Sequence, residues 1–142
     1  MRATLVVALI ALASCTSFLK EKNEGYPITF EKFDESRASF VRIKATPEEI
    51  ITGESIDFKL QYQAKEDLDV KEMFLDTLNG DTSLFTDHVP INKKLAVGEK
   101  DVVGYKASVP RFCPPGEWTI VLTLKDQNDQ SIAILKAHFT VE

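Results

Sequence analysis

The sequence predicts an all-β protein, an immunoglobulin-like sandwich of about seven antiparallel strands. Three observations carry this reading. Several runs alternate apolar and polar residues with a period of two, as strands with one buried face do. Turn-forming residues separate those runs at intervals of roughly 8–12 residues. No segment repeats its apolar residues at helical spacing, and residues 46–51 could form one helical turn at most.

In chain order, SFVRIKA at 39–45 sets Val41 and Ile43 against Arg42 and Lys44. Thr46-Pro47-Glu48-Glu49 breaks that strand, and Thr52-Gly53-Glu54 makes a turn. The run 55–63 is the strongest strand: Ile56, Phe58, Leu60 and Tyr62 face one way, and Asp57, Lys59, Gln61 and Gln63 the other. A polar corner at 67–69 leads into a mixed strand over 70–78, whose core candidates are Met73, Phe74 and Leu75. Asn79-Gly80-Asp81 is a hairpin turn, with the returning strand over 82–89 and a loop over 93–100. The next strand, 101–109, alternates through Val103, Tyr105, Ala107 and Val109. PRFCPPG at 110–116 is a rigid crossing, because proline fixes the backbone and has no N–H to satisfy. Strand 117–125 then carries Trp118, Ile120, Leu122 and Leu124 in one phase. Asp126 to Asp129 turns the chain into a last strand, 131–141, with Ala133, Leu135, Ala137, Phe139 and Val141 in phase.

A chain of 142 residues predicts one domain. Its start has the pattern of a secretory signal over residues 1–17: one positive charge at Arg2, an uncharged apolar run from Ala3 to Ala13, then small residues. That run is too short for a membrane span, which needs roughly 20 apolar residues. Leu12-Ala13-Ser14-Cys15 also resembles the lipobox of bacterial lipoproteins, in which the cysteine is acylated, so anchoring at Cys15 in a bacterial envelope is the alternative to release. Either way the protein leaves the cytosol. Residues 18–29 form a leader and 30–142 the sandwich domain. With Cys15 at the leader boundary, Cys113 has no partner for an internal disulfide. The domain must therefore rely on its core.

A net charge of −5 disfavours nucleic-acid binding, which needs a basic face. It also gives no attraction to an anionic membrane, so any membrane contact should be transient and apolar. His88 and His138 lack companions at metal-ligand spacing, and Asp67, Asp69, Asp76 and Asp81 do not match a calcium loop. No nucleophile motif or phosphate loop occurs, and Cys113 between Phe112 and Pro114 is a small apolar residue rather than a reactive thiol. The expectation is a non-enzyme with no cofactor and no metal. What stands out is the stock of large rings: Phe58, Tyr62, Phe74, Phe85, Tyr105, Phe112, Trp118 and Phe139. They either fill a core or line a cavity, and periodicity does not separate the two.

Three stretches are similar to the ML-domain lipid-recognition family, which includes the Niemann-Pick type C sterol carriers and the fungal phosphatidylglycerol/phosphatidylinositol transfer proteins. They are PITFEKFDESRASFVRIKATPEEIITGESIDFKL (27–60), QAKEDLDVKEM (63–73) and VPRFCPPGEWTIVLTLKDQNDQSIAILKAHFTVE (109–142). The last carries Pro-Pro-Gly before an aromatic-led strand, an acidic turn and a final strand. The resemblance implies a short opening strand, and a pocket between two sheets that holds a sterol or a phospholipid. It also implies a secreted protein or one of the endolysosomal or vacuolar lumen, read here as a monomer. Family disulfides would fall at Glu31 and Ile134 and within 83–90, where this chain has no cysteine. Strand phase then nominates Phe58, Leu60, Tyr62, Met73, Leu75, Tyr105, Val109, Phe112, Trp118, Ile120 and Leu122 as pocket lining, with the 110–115 crossing near the mouth. The competing reading is a lipoprotein interaction module with a filled core and no ligand cavity.

Overall fold

The computed structural model describes residues 25–142. The segment read as a secretory signal, Cys15 and all but the end of the segment read as leader lie outside the described residues. Within them the protein is all-β, with ten strands in three antiparallel sheets. A five-stranded sheet has the order β2-β10-β9-β6-β7, where β2 is Thr29–Asp34, β6 Leu68–Asn79, β7 Thr82–Leu95, β9 Gly116–Asp126 and β10 Ser131–Val141. A three-stranded sheet has the order β3-β5-β8, with β3 Ala38–Thr46, β5 Ser55–Ala64 and β8 Lys100–Ser108. The inner faces of these two sheets form one hydrophobic core. A two-stranded ribbon, β1 (Gly25–Pro27) with β4 (Glu49–Ile51), pairs Tyr26 with Ile50, both buried.

The difference between ten strands and about seven lies in β1, β2 and β4, which are too short to show a period. Residues 49–51 pair as strand β4 and not as a helical turn. β1 lies inside the segment read as leader. β2 is the short opening strand that the family resemblance implies, and it pairs with β10. Glu31 and Ile134 lie on these two paired strands, but not opposite each other: Glu31 faces Lys136 and Ile134 faces Asp34. β7 runs on to Leu95, so the loop expected from Lys93 begins only at Ala96.

The long strands show how alternation becomes a sandwich. In β5, Ile56, Phe58, Leu60, Tyr62 and Ala64 are all buried, while Ser55, Asp57 and Lys59 are exposed. Where the sequence phase misleads, a β-bulge is responsible. One extra residue flips every later side chain to the other face. The β3–β5 register shifts between Phe40 and Arg42. Ala38 and Phe40 therefore point inward before the bulge and Ala45 after it, and Val41, expected inside, is 44% exposed. In β6 the shift between Val70 and Glu72 puts Val70 and Met73 on the same buried face. This is why the segment looks mixed. Phe74 consequently lies on the outer face, with the Lys125 ammonium 4.5 Å from its ring centre.

One turn is held by charge. Asp126, almost fully buried, accepts hydrogen bonds from the backbone N–H of Asn128 and of Gln130, both at 2.9 Å. Its other oxygen takes Arg37 Nη1 at 2.9 Å, from the segment entering the opposite sheet. The Gln130 N–H bond leads in holding the Asp126 carboxyl below its ordinary value of 3.8, with Arg37 and the Asn128 N–H adding to it against the effect of burial. A depressed carboxyl contributes stability above its unfolded pKa and loses it as pH falls through the folded one. This contribution is therefore complete above about pH 4 and disappears in stronger acid. Asp126→Ala should lower unfolding stability at pH 7 by about 2–3 kcal/mol, read from urea melts, and the gap between mutant and wild type should narrow below pH 3.8. An unchanged gap down to pH 2 would show that the carboxylate charge contributes nothing there.

Candidate ligand-binding cavity

The interior of the sandwich is not uniform along the strands. At one end the two sheets are filled: Leu60, Tyr62, Met73, Leu122, Leu124, Ile132 and Leu135 are each at most 1% exposed. At the other end the sheets enclose a cavity of about 690 Å³. The same strands serve both ends. β5 gives Ile56 and Phe58 to the cavity, then Leu60 and Tyr62 to the core. β9 gives Trp118 and Ile120 to the cavity, then Leu122 and Leu124 to the core. β6 runs the other way, from Met73 in the core to Leu75 and Thr77 at the cavity.

Of the residues nominated from strand phase, Phe58, Leu75, Tyr105, Val109, Phe112, Trp118 and Ile120 border the cavity. Leu60, Tyr62, Met73 and Leu122 face the same interior but sit in its packed half. The crossing lies at the cavity, through Pro110, Phe112, Cys113 and Pro114. Ile50, Ile56, Leu84, Phe85 and Phe139 also border it and were not nominated. Ile56 and Phe139 were legible in principle, being in phase with nominated neighbours or directly opposite them. Phe139 stacks on Trp118 across the β9–β10 pair, ring centres 5.8 Å apart and planes at 12°. Leu84 and Phe85 are adjacent and break the alternation, so phase could not find them.

The lining is chemically simple. The Trp118 indole N–H donates to the Pro114 carbonyl at 2.8 Å, which fixes the ring and ties the crossing to β9. The Cys113 thiol is half-buried, and burial pushes its pKa up, so it is held as the neutral thiol. The Tyr105 hydroxyl donates to Asp87 Oδ2 at 2.9 Å, across from one sheet to the other. Lys106 borders the cavity, but it is exposed and pairs with Asp57 on β5, out of phase with the inward Tyr105 and Ala107. No buried side-chain nitrogen or oxygen among the described residues is left without a partner. The rim is apolar and wet: Phe112 is 77% exposed, Phe85 55% and Leu84 51%. Among the described residues no group of three or more His, Cys, Asp and Glu comes together as a metal site. His138 sits on the outer face between Glu31 at 2.8 Å and Thr119 at 3.2 Å.

No protein-family model matches this sequence, and no curated protein is similar to it. Solved structures are similar. A Niemann-Pick type C2 protein from the Japanese carpenter ant superposes with a TM-score of 0.62 at 15% identity, covering 80% of this chain and 99% of that one. Chicken MD-1 complexed with lipid IVa superposes with a TM-score of 0.54 at 12% identity, covering 84% of this chain and 92% of that one. At such identities the likeness is one of fold, the immunoglobulin-like sandwich of these two proteins.

Proposed function

We propose that this protein binds a lipid, a sterol or a phospholipid, in the cavity between its sheets and carries it outside the cytosol without altering it. The observation that carries the reading is the 690 Å³ space bordered by Phe58, Trp118, Ile120 and Phe139. It falls within the roughly 300–1,000 Å³ of small-molecule pockets. A void of this size in a close-packed interior sacrifices dispersion contacts unless something apolar fills it. Each buried methylene contributes about 0.8 kcal/mol, so ten of them give roughly 8 kcal/mol before the costs of association. That is enough for useful affinity with no covalent step. The MD-1 complex with lipid IVa supports the idea that a sandwich of this shape takes a lipid. The exposed Phe112, Phe85 and Leu84 suit brief apolar contact with a membrane, which the net charge of −5 would not otherwise favour. The filled-core reading leaves the cavity unexplained.

The test is native mass spectrometry of the purified protein, followed by solvent extraction and lipid analysis. A stoichiometric lipid, or uptake of an added fluorescent sterol or labelled phospholipid, is the expected result. Trp118, the one tryptophan, borders the cavity and reports occupancy through a shift in its emission. A clean apo mass with no Trp118 response to a broad lipid panel would refute the proposal.

A further inference from the structure

β7 and β8 are edge strands of different sheets: β7 pairs only with β6, and β8 only with β5. Both border the cavity in an unusual way. On β8 the consecutive residues Tyr105 to Ser108 all line it, and on β7 the consecutive pair Leu84 and Phe85 does. Neighbouring residues on a strand point to opposite faces. They can all border one space only if the backbone edge itself faces it. The gap between the β7 and β8 edges is therefore the open side of the cavity.

Two side-chain hydrogen bonds among the described residues cross this gap. At the packed end Lys93 Nζ of β7 reaches Asp101 Oδ1 of β8 at 2.8 Å, and the buried Tyr62 hydroxyl donates to the other Asp101 oxygen at 2.9 Å. About 13 Å further along β8, at roughly 3.3 Å per residue, Tyr105 donates to Asp87 of β7. Asp87 also accepts the His88 N–H at 2.8 Å, and these two bonds hold its carboxyl below the usual range. The bond is thus made to an ionised acceptor and is of the stronger, charge-assisted kind. Beyond it, towards Phe85 and Ala107, no side-chain hydrogen bond or ion pair among the described residues joins the two strands. Tyr105 and Asp87 stand where the closed seam ends and the opening begins.

We propose that the Tyr105–Asp87 bond is a latch across the lateral opening, which sets the rate at which a ligand enters and leaves the cavity. The Lys93–Asp101–Tyr62 cluster is the fixed end about which the edges part, and the latch limits how far the opening extends. The gated ligand rests on the lipid reading above; the opening itself does not.

Tyr105→Phe keeps the ring and removes only the hydroxyl, and Asp87→Asn removes the charge. Two measurements on the full chain separate the questions. The first is acrylamide quenching of Trp118 without ligand. Both variants should raise the quenching constant at least twofold over wild type, while staying fully folded without urea and lowering the urea midpoint by no more than the loss of one such bond explains. Unchanged quenching in both variants overturns the latch. The second is stopped-flow uptake and release of a fluorescent sterol and of a labelled phospholipid. Loss of a charge-assisted bond should speed both steps about tenfold in both variants, and Asp87→Asn, which alters a side chain outside the cavity lining, should leave Kd within about threefold. A weakened Kd at an unchanged uptake rate overturns the latch and makes the hydroxyl a ligand contact. If wild type takes up neither probe while quenching responds to the variants, the latch stands and the lipid reading falls.

Discussion

Leu122→Ala is expected to cost about 3–5 kcal/mol of folding stability, and Ile120→Ala only about 1–2 kcal/mol. The two residues lie two apart on β9, point the same way and belong to the same alternating run. Their surroundings differ. Leu122 is 1% exposed and lies between Leu75 on β6 and Leu135 on β10, at 2% and 0% exposure. Truncating it opens a hole in close packing, so the loss combines the transfer of its buried methyl groups with the cavity left behind. Ile120 lies between Thr77 and Ala137 and already faces empty space. Truncating it enlarges a void that exists and forfeits fewer contacts. Since a domain of this kind has only about 5–15 kcal/mol in all, the Leu122 change should remove a large share of its stability. Urea unfolding of both variants decides the matter. Equal losses would mean that the Ile120 end of the sandwich is packed as tightly as the Leu122 end.

The same contrast explains what could be read from the sequence. Alternation tells which way a strand residue points, so Phe58, Leu60, Tyr62, Trp118, Ile120 and Leu122 were all placed correctly inside. Phase carries no information on where along a strand the two sheets move apart. That depends on the crossing at 110–116 and on which strands end up at the edges, both of which are tertiary. The division into Phe58 and Ile120 at the cavity but Leu60 and Leu122 in the core was therefore not legible. Bulges set the second limit. Val41 looked buried because nothing local marks the extra residue that turns it outward. Leu84 and Phe85 set the third: an edge strand can meet a cavity with its backbone, where the period of two does not apply. The 110–115 crossing was nominated near the mouth alongside the family resemblance, and Pro110, Phe112, Cys113 and Pro114 border the cavity.

Filling the cavity should have the opposite signature to emptying the core. Ala107→Phe is expected to weaken uptake of a lipid probe at least about 100-fold, or about 2.7 kcal/mol, while changing folding stability by no more than about 1 kcal/mol. Ala107 lies opposite Ile56 on β5, in phase with Tyr105, and its methyl group faces the cavity. A phenyl ring there enters space that the fold leaves open, so it displaces ligand rather than neighbouring side chains. Its new apolar contacts offset the cost of ordering it. The control is the same change at Ala133, which is 0% exposed among packed side chains on β10. There is no room there, and overpacking of that kind costs about 1–3 kcal/mol or more. Ala133→Phe should therefore lower the urea midpoint sharply, with any loss of uptake following from unfolding. If Ala107→Phe keeps wild-type affinity, the ligand is not held between the sheets, and the exposed Phe112, Phe85 and Leu84 are left as the binding surface. If it loses affinity only as it loses stability, Ala107 belongs to the packed core, and the open end of the sandwich closes in solution.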